Sequence, residues 1–330
     1  MPKVLLLTKS EVEQLLSMRE TIEAVEEAFR AKGMGRVQMP PKSYVFFREF
    51  NGDFRVMPAY LENLGAAGVK IVNAHPENPG KYGLPTVMAV IVLIDPRTGV
   101  PLAIMDGTVI TNMRTGAAGA VAVKYLARKD SRVFAMVGAG VQAKTQLLAI
   151  SEVLRVEEVR VNDISSVRAE EYVREMGEKI DAEFKILTDT RKAVEGADVI
   201  VTTTPSRRPV ILNEWVGEGV HINAIGADAP GKQELDPAIL KRAKVVVDDI
   251  EQAAHSGEIN VPISKGLFTV EEIYAELGVI VTGKLPGRAS PREITVFDST
   301  GLAVQDIATD WLVYQKAIKL GVGREIDLLS

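Results

Sequence analysis

Two charged residues stand where a soluble chain seldom puts them. Lys70 lies in "GAAGVKIVNAHP", a run of small and apolar residues that reads as a strand. Burial disfavours an ammonium, so a lysine there is paired, used in chemistry, or snorkelling from a solvent face. Asp228 lies in "NAIGADAPGKQEL", just past another apolar run. An acid outside the carboxyl end of a strand is placed to move protons for a bound ligand, or else to cap the turn at Pro230-Gly231. Arg114, in "TNMRTGAAG", breaks a run of small residues. It clamps a phosphate or carboxylate, or it is a surface arginine. His75, His221 and His255 form no pair at metal-ligand spacing, and the chain has no cysteine. Neither a metal site nor a thiol nucleophile is expected, and there is no G-x-S-x-G or Walker sequence.

A third feature is the turn in "FAMVGAGVQAKTQL", residues 134–147. Gly138-x-Gly140-x-x-Ala143 fits the dinucleotide fingerprint with alanine in its third place. Gly138 permits the tight turn, Gly140 lets backbone amides approach a pyrophosphate, and Ala143 lets the helix pack closely. The anion then sits at the positive end of that helix. Asp163, at the end of the following strand, is placed to accept hydrogen bonds from an adenosine ribose, or to form a turn before "SSVRAEE". A carboxylate there repels a 2′-phosphate, so NAD is favoured over NADP, although Arg168 is close in sequence.

These residues need a scaffold. A chain of 330 residues calls for two domains. With 46% hydrophobic residues it has ample core material, and its net charge of −5 is mixed along the chain. That argues against a nucleic-acid partner and against an anionic membrane surface. The N-terminal apolar run is too short for a signal peptide, and no apolar stretch is long enough to span a membrane, so a cytoplasmic protein is expected. Near the N-terminus, Ser10 with Glu13 and Ser17 with Glu20 fit capping boxes. Ile22, Val25 and Phe29 follow at helical spacing, and Gly33 is a stop. From residue 43 onward "SYVFF", "FRVMPAYL", "AAGVKIVNAHP" and "PTVMAVIVLID" read as strands separated by "NGD", "NPGKYG" and "DPRTG" turns. With no helices between them, their sheet is antiparallel or mixed. "TNMRTGAAGAVAVKYLA" then reads as a helix whose small residues admit a close neighbour. After residue 130 the rhythm is strand–helix–strand, with near-continuous apolar strands suited to a covered parallel sheet. "TGLAVQDIATDWLVYQKAIKLGVG" is a long helical tail without a strand partner.

The expected fold class is α/β: a Rossmann-type doubly wound nucleotide-binding domain, residues 116–296, inserted into an α+β domain formed by 1–115 and 297–330. Several stretches carry a family resemblance: "QMPPKSYV", "FRVMPAYL", "GVKIVNAHPENP", "GLPTVMAVIVL", "TNMRTGAAGAVAVKYLARKDS", "VGAGVQAKTQL", "VTTTPSRRPV", "GVHINAIGADAPGKQELD" and "EITVFDSTGLAVQD". Together they resemble the ornithine cyclodeaminase/μ-crystallin family, and most of all its archaeal alanine dehydrogenase branch. The resemblance implies that the outer domain binds substrate and dimerises, and that the inserted domain binds the cofactor, which is why the glycine turn comes so late.

The resemblance also implies roles. Lys70 would contact the substrate carboxylate or reacting nitrogen, and Asp228 would be the acid/base group. Thr86, Arg114, Val141, Gln142, Asp163, Thr204, Ile222, Asn223, Ala224, Ile225, Lys232 and Ser299 match cofactor-contacting positions, beside Gly138 and Gly140. Thr300 would lie near the substrate. Lys42 replaces an arginine often found in the family at a carboxylate-binding place. Arg55 stands two residues before Met-Pro, where the cyclodeaminases carry a glutamate for a distal ammonium. A cation there opposes a second ammonium and favours a small amino acid. The implied function is an NAD-dependent oxidoreductase interconverting a small L-α-amino acid and its imine or keto acid, first of all alanine dehydrogenase. The alternatives are a Δ1-pyrroline-2-carboxylate reductase forming L-proline, an ornithine cyclodeaminase, or a redox-silent binding protein like μ-crystallin. The expected partner is a second copy of the chain.

Overall fold

The computed structural model describes residues 3–328. The chain divides into two compact units, one made of residues 1–114 and 302–330, the other of 115–301. The return to the first unit falls at 301/302, past the expected 296/297. The reason is that Ile294–Asp298 is an inner strand of the second unit's sheet, paired with strands on both sides.

The first unit is built on a mixed eight-stranded sheet. Its order is Arg324–Ile326, Val4–Leu7, Pro101–Asp106, Val87–Ile94, Ala66–Ala74, Gly52–Leu61 and Val37–Gln38, with Ser43–Phe47 also paired to Gly52–Leu61. Only the pairing of Val4–Leu7 with Pro101–Asp106 is parallel. Side chains alternate across the pleat. The row Met57, Lys70 and Ile91 faces the core, and the adjacent row Val56, Ile71 and Val90 faces outward. The inner face is covered by the helix Ala303–Leu320, against which Met18–Gly33 packs.

Three local readings need correction. The first helix, Lys9–Leu15, is capped by Thr8 with Glu11, not Ser10 with Glu13: the Thr8 amide and hydroxyl both donate to the Glu11 carboxylate at 2.7 Å. "NPGKYG" is a short helix, Asn78–Tyr82, closed by Gly83 at φ 64°, because proline is welcome in a first helical turn. The C-terminal tail does find a strand partner, since Arg324–Ile326 pairs antiparallel with Val4–Leu7. Three residues carry too little periodicity to announce that strand. The Ser17 cap and the Gly33 stop stand as read.

The second unit holds an all-parallel eight-stranded sheet: Glu183–Ile186, Glu158–Asn162, Val133–Val137, Val199–Thr202, His221–Ala224, Ile294–Asp298, Ala243–Val247 and Ala275–Glu276. The first strand in sequence, Val133–Val137, lies inside the sheet. The chain builds outward on one side of it, then crosses to the other at Val199–Thr202. Strand residues alternate between two cores. Phe134 and Met136 pack with Leu147 and Tyr172, while Ala135 and Val137 pack with Ile222 and Ile239. That two-sided burial is why these strands read as continuous apolar runs.

The small residues of the helix Thr108–Leu126 have a visible use within this unit. A Cβ on Gly116 would meet the Thr145 carbonyl oxygen at 2.4 Å, and one on Gly119 would overlap the Gln146 side chain. Gln146 instead donates to the Thr115 carbonyl at 2.8 Å, which locks the helix Val141–Ser151 against that of the small residues.

Candidate active site

In the second unit, the residues of interest gather where the strand order reverses. Gly138 leaves the strand Val133–Val137 at φ 98°, a conformation that side chains rarely adopt. A Cβ there would also press on Thr203, with its Oγ1 at 2.7 Å. Gly140 is the N-cap of Val141–Ser151, and nothing lies within 4 Å of where its Cβ would be. Its backbone therefore opens onto space that a ligand can fill. Ala143 is fully buried against the sheet. The cleft there, about 360 Å³, is walled by the glycine turn, Asp163, Arg168 and Thr203 to Ser206. Clefts at such reversals are where open α/β sheets bind ligands.

Asp163 forms the turn that its position allowed and also reaches the glycine loop. Its Oδ2 accepts from the Ala139 amide at 2.8 Å, tying the second strand to the glycine turn, and its Oδ1 accepts from the Ser165 amide at 2.8 Å. Arg168 is half exposed, with its Nε 3.5 Å from Asp163 Oδ1. Thr204 is fixed through its amide, which donates to Glu234 Oε1 at 2.6 Å. Val141 is exposed and Gln142 half-buried at the start of the helix. Ile222, Asn223 and Ala224 are fully buried. Their strand is covered on both faces, and the Asn223 amide donates to the Gly119 carbonyl at 3.1 Å. These three build the floor of the sheet and offer no surface to a cofactor, contrary to expectation. Ile225 stands at the strand end. His221, at the start of the same strand, is neutral, because burial pushes its imidazole down to about 3.

Asp228 lies on the loop after His221–Ala224. Its Oδ1 is 2.5 Å from Lys232 Nζ, and its side chain keeps 38% of its exposure. The loop is anchored by Glu234, a buried acid that the sequence reading missed. Glu234 Oε2 accepts from the Gly226 amide at 2.8 Å and from Thr202 Oγ1 at 2.7 Å. One carboxylate thus ties together the ends of two neighbouring strands, and with them the loops of Thr204 and Asp228. Ser299 and Thr300 are buried just past Ile294–Asp298, and Thr300 is held by Asp248 through its amide at 2.7 Å and its hydroxyl at 2.9 Å. Thr300 is therefore engaged in its own unit.

The first unit carries the second group. Lys70 is completely buried in mid-strand, which rules out snorkelling. Its Nζ lies 2.6 Å from Asp306 Oδ2, off the hydrogen-bonding axis but well within ion-pair range. Arg114 is nearly as buried; its Nε donates to Asp306 Oδ1 at 2.8 Å and its guanidinium to Gln305 Oε1 at 3.1 Å. Arg114 is thus not a surface residue. Burial, then the charge of Arg114, pushes the Lys70 ammonium down to about 7, against the support of Asp306. Lys42 adds a weaker like charge. Asp310, one turn beyond Asp306, is buried with no hydrogen-bond partner on either oxygen. Its pKa is pushed well above the usual carboxylate range, by burial first and by Asp306 next. The signal for Asp306 and Asp310 was present in "AVQDIATDWLVYQ": two acids four residues apart on an otherwise apolar helix face.

Arg55 needs a correction. Its guanidinium grips Asp53 through Nε at 3.1 Å and a terminal nitrogen at 3.3 Å, and its carbon lies 5.4 Å from the centre of the Tyr44 ring. Its charge is already matched within the strand, so it is not the bare cation that the residue type suggested. Thr86 sits before the strand Val87–Ile94, its carbonyl accepting from the His75 amide at 2.8 Å.

Comparison with known proteins gives one consistent answer. A model of the ornithine cyclodeaminase/mu-crystallin family matches residues 3–320. An alanine dehydrogenase of Archaeoglobus fulgidus is 53% identical over 98% of each chain. Among solved structures, an archaeal alanine dehydrogenase dimer with bound NAD superposes with a TM-score of 0.95 at 52% identity, covering 99% of this chain and all (100%) of that one. The Thermococcus litoralis Δ1-pyrroline-2-carboxylate reductase, solved with NADH and L-proline, gives a TM-score of 0.95 at 44% identity, covering 98% of this chain and 100% of its own.

Proposed function

The chain belongs to the ornithine cyclodeaminase/mu-crystallin family, and from that premise we propose that it is an NAD-dependent oxidoreductase interconverting a small L-α-amino acid with its imine and keto acid. The leading reaction is that of an alanine dehydrogenase: L-alanine, NAD⁺ and water give pyruvate, ammonium, NADH and a proton. The observation that carries this reading is the buried meeting of Lys70 and Arg114 on one carboxylate. Two cations held so deeply against a single anion leave a positive site suited to an α-carboxylate.

The residues present fit the cofactor. The open backbone at Gly140 and the turn at Gly138 suit a pyrophosphate, and Asp163 suits a ribose. Val141, Gln142, Thr204, Ile225, Lys232, Ser299 and Thr86 are further candidates for holding it. When bound, NAD supplies the hydride acceptor. This chain's own groups do the rest. Lys70 and Arg114 hold the carboxylate, with Lys42 nearby. Asp228 accepts a proton from the water that attacks the imine carbon and returns one as ammonia leaves. Lys232 is paired to it at 2.5 Å.

The relative solved with L-proline supports a second reading, reduction of Δ1-pyrroline-2-carboxylate. A cyclic imine needs no hydrolysis, and Asp228 is then only a proton relay. Ornithine cyclisation is disfavoured because both oxygens of Asp53 face Arg55, which leaves the strand without a ready partner for a distal ammonium. We further read the protein as a cytoplasmic homodimer in which the first unit binds substrate and the second binds NAD. The test is a panel of NADH oxidation with pyruvate plus ammonia, Δ1-pyrroline-2-carboxylate and Δ1-piperideine-2-carboxylate, beside L-ornithine. Turnover with the first supports the alanine reading, and turnover with only the cyclic imines supports the second. Proline from ornithine without net NADH change sinks both.

A further inference from the structure

We propose that Asp306 is the positioning residue of the substrate-carboxylate site, a single buried carboxylate that aims Lys70 and Arg114 at one anion and keeps Lys70 in its cationic form. The inference rests on the reading of Lys70 given above and adds a residue to which the sequence reading gave no role. Asp306 is completely buried on the helix Ala303–Leu320, and it meets two cations from two other elements: Lys70 from the strand Ala66–Ala74 and Arg114 from the helix Thr108–Leu126. Each of its oxygens takes one cation, Oδ2 the ammonium and Oδ1 the guanidinium. Gln305, the preceding residue, accepts from Arg114 and from the Leu302 amide, so the guanidinium is braced at a second point.

The charges facing Lys70 are Asp306 on that helix, Arg114, and Lys42 on the segment before Ser43–Phe47. Asp310 also faces the group, from one turn along the same helix. It has no hydrogen-bond partner and is buried beside Asp306, and both its burial and that neighbour's charge favour its protonated form over a second negative charge. Asp306 is therefore the one anion that opposes both the burial of Lys70 and the repulsion of its cationic neighbours. Two carboxylates there would neutralise the cations and leave nothing to attract a substrate. One leaves the site positive.

The test is the inhibition constant of pyrrole-2-carboxylate, a planar carboxylate whose charge does not change across neutral pH, measured against NADH turnover from acid to alkaline pH. In the wild type the constant should rise as pH passes about 7, where Lys70 loses its proton. In Asp306→Asn that rise should move at least about one unit to lower pH, which weakens the inhibitor about fivefold at pH 7 and about tenfold at more alkaline pH. The KM for NADH should not change. Asp310→Asn replaces one neutral group by another and should leave the rise where it was. If Asp306→Asn does not fold, Asp306→Glu keeps the charge and moves its position: the rise should stay in place, with weaker inhibition at every pH. The proposal falls if the wild-type constant is flat with pH, if Asp306→Asn changes only the melting temperature, if Asp306→Glu inhibits as the wild type does, or if Asp310→Asn shifts the profile as Asp306→Asn should. Lys70→Met separates the layers. If it binds the inhibitor like the wild type, the assignment of Lys70 itself is wrong and Asp306 falls with it; if NADH turnover survives in the other variants, the oxidoreductase reading stands regardless.

Discussion

In the proposed reaction Asp228 is the proton-transfer group, and its surroundings make that role separable from a structural one. It pairs with Lys232, but the two side chains keep 38% and 22% of their exposure, and a pair so open to water contributes only about 0–1 kcal/mol to folding. It caps no helix; its own amide donates to the Gly226 carbonyl at 3.2 Å. Asp228→Asn keeps the size and much of the hydrogen bonding. Turnover should fall by about 10²–10⁴-fold, as expected when a general acid–base group is removed. Melting temperature and NAD affinity should hardly move, which stopped-flow kinetics, a thermal melt and a titration would read. Turnover near wild type with a lowered melt would return the search for the proton-transfer group to Lys70.

At the scale of elements, the site is a set of strand ends held in place by buried acids. Glu234 joins the loops after Val199–Thr202 and His221–Ala224, and Glu258 accepts the Glu234 and Leu235 amides at 2.9 and 2.7 Å. Asp298, at the end of Ile294–Asp298, is fully buried; its Oδ2 accepts from the Ile259 amide at 3.1 Å and its Oδ1 has no partner. Burial, with Asp248 and Glu234 nearby, pushes its carboxyl from 3.8 up to about 8. The folded state keeps this proton after the unfolded chain has lost it. Its stabilisation is full below the unfolded value and is lost as pH rises towards about 8. Asn carries no such proton. The difference in melting temperature between Asp298→Asn and the wild type should therefore shift in favour of Asn from mildly acidic pH up to about 8, at roughly 1.4 kcal/mol per unit. A difference constant with pH would show that Asp298 is ionised in the fold. The sequence showed these elements unevenly. Gly138, Gly140 and Ala143 were legible because conformation and close packing restrict the residue types they can be. Lys70 was legible because a charge in a small-residue strand is costly. Glu234 and Asp298 were not, because an acid in sequence looks alike whether it faces water or buried partners, and Asp306 showed only as one of two acids on an otherwise apolar helix face. The same limit misled the reading of Arg55, whose partner Asp53 sits only two residues away but on the same face of a strand.

The whole molecule must bury what a single copy leaves bare. Ile71 and Val90, partners across two strands of the first unit's sheet, are each 39% exposed, and Phe46 is 61% exposed. They lie in rows opposite the core-facing Met57 and Ile91 or on the adjoining strand, so the outer side of the sheet is apolar and in need of cover. An apolar surface of this kind marks an interface, and two-fold dimers are the commonest solution. Light scattering at micromolar concentration should give a dimer for the wild type and a monomer for Ile71→Glu, which still binds NAD through the other unit. A wild-type monomer, or a dimer untouched by Ile71→Glu, would place the interface elsewhere or remove it.

The central claim is that hydride passes between a nicotinamide and the α-carbon of a small amino acid. NADH carrying deuterium on both C4 positions, supplied with pyruvate and ammonia or with Δ1-pyrroline-2-carboxylate, tests it directly by mass spectrometry of the amino-acid product. The account predicts L-alanine or L-proline with one deuterium at Cα for each NADH consumed. Unlabelled product, or proline made from ornithine with the NADH pool unchanged, would contradict it.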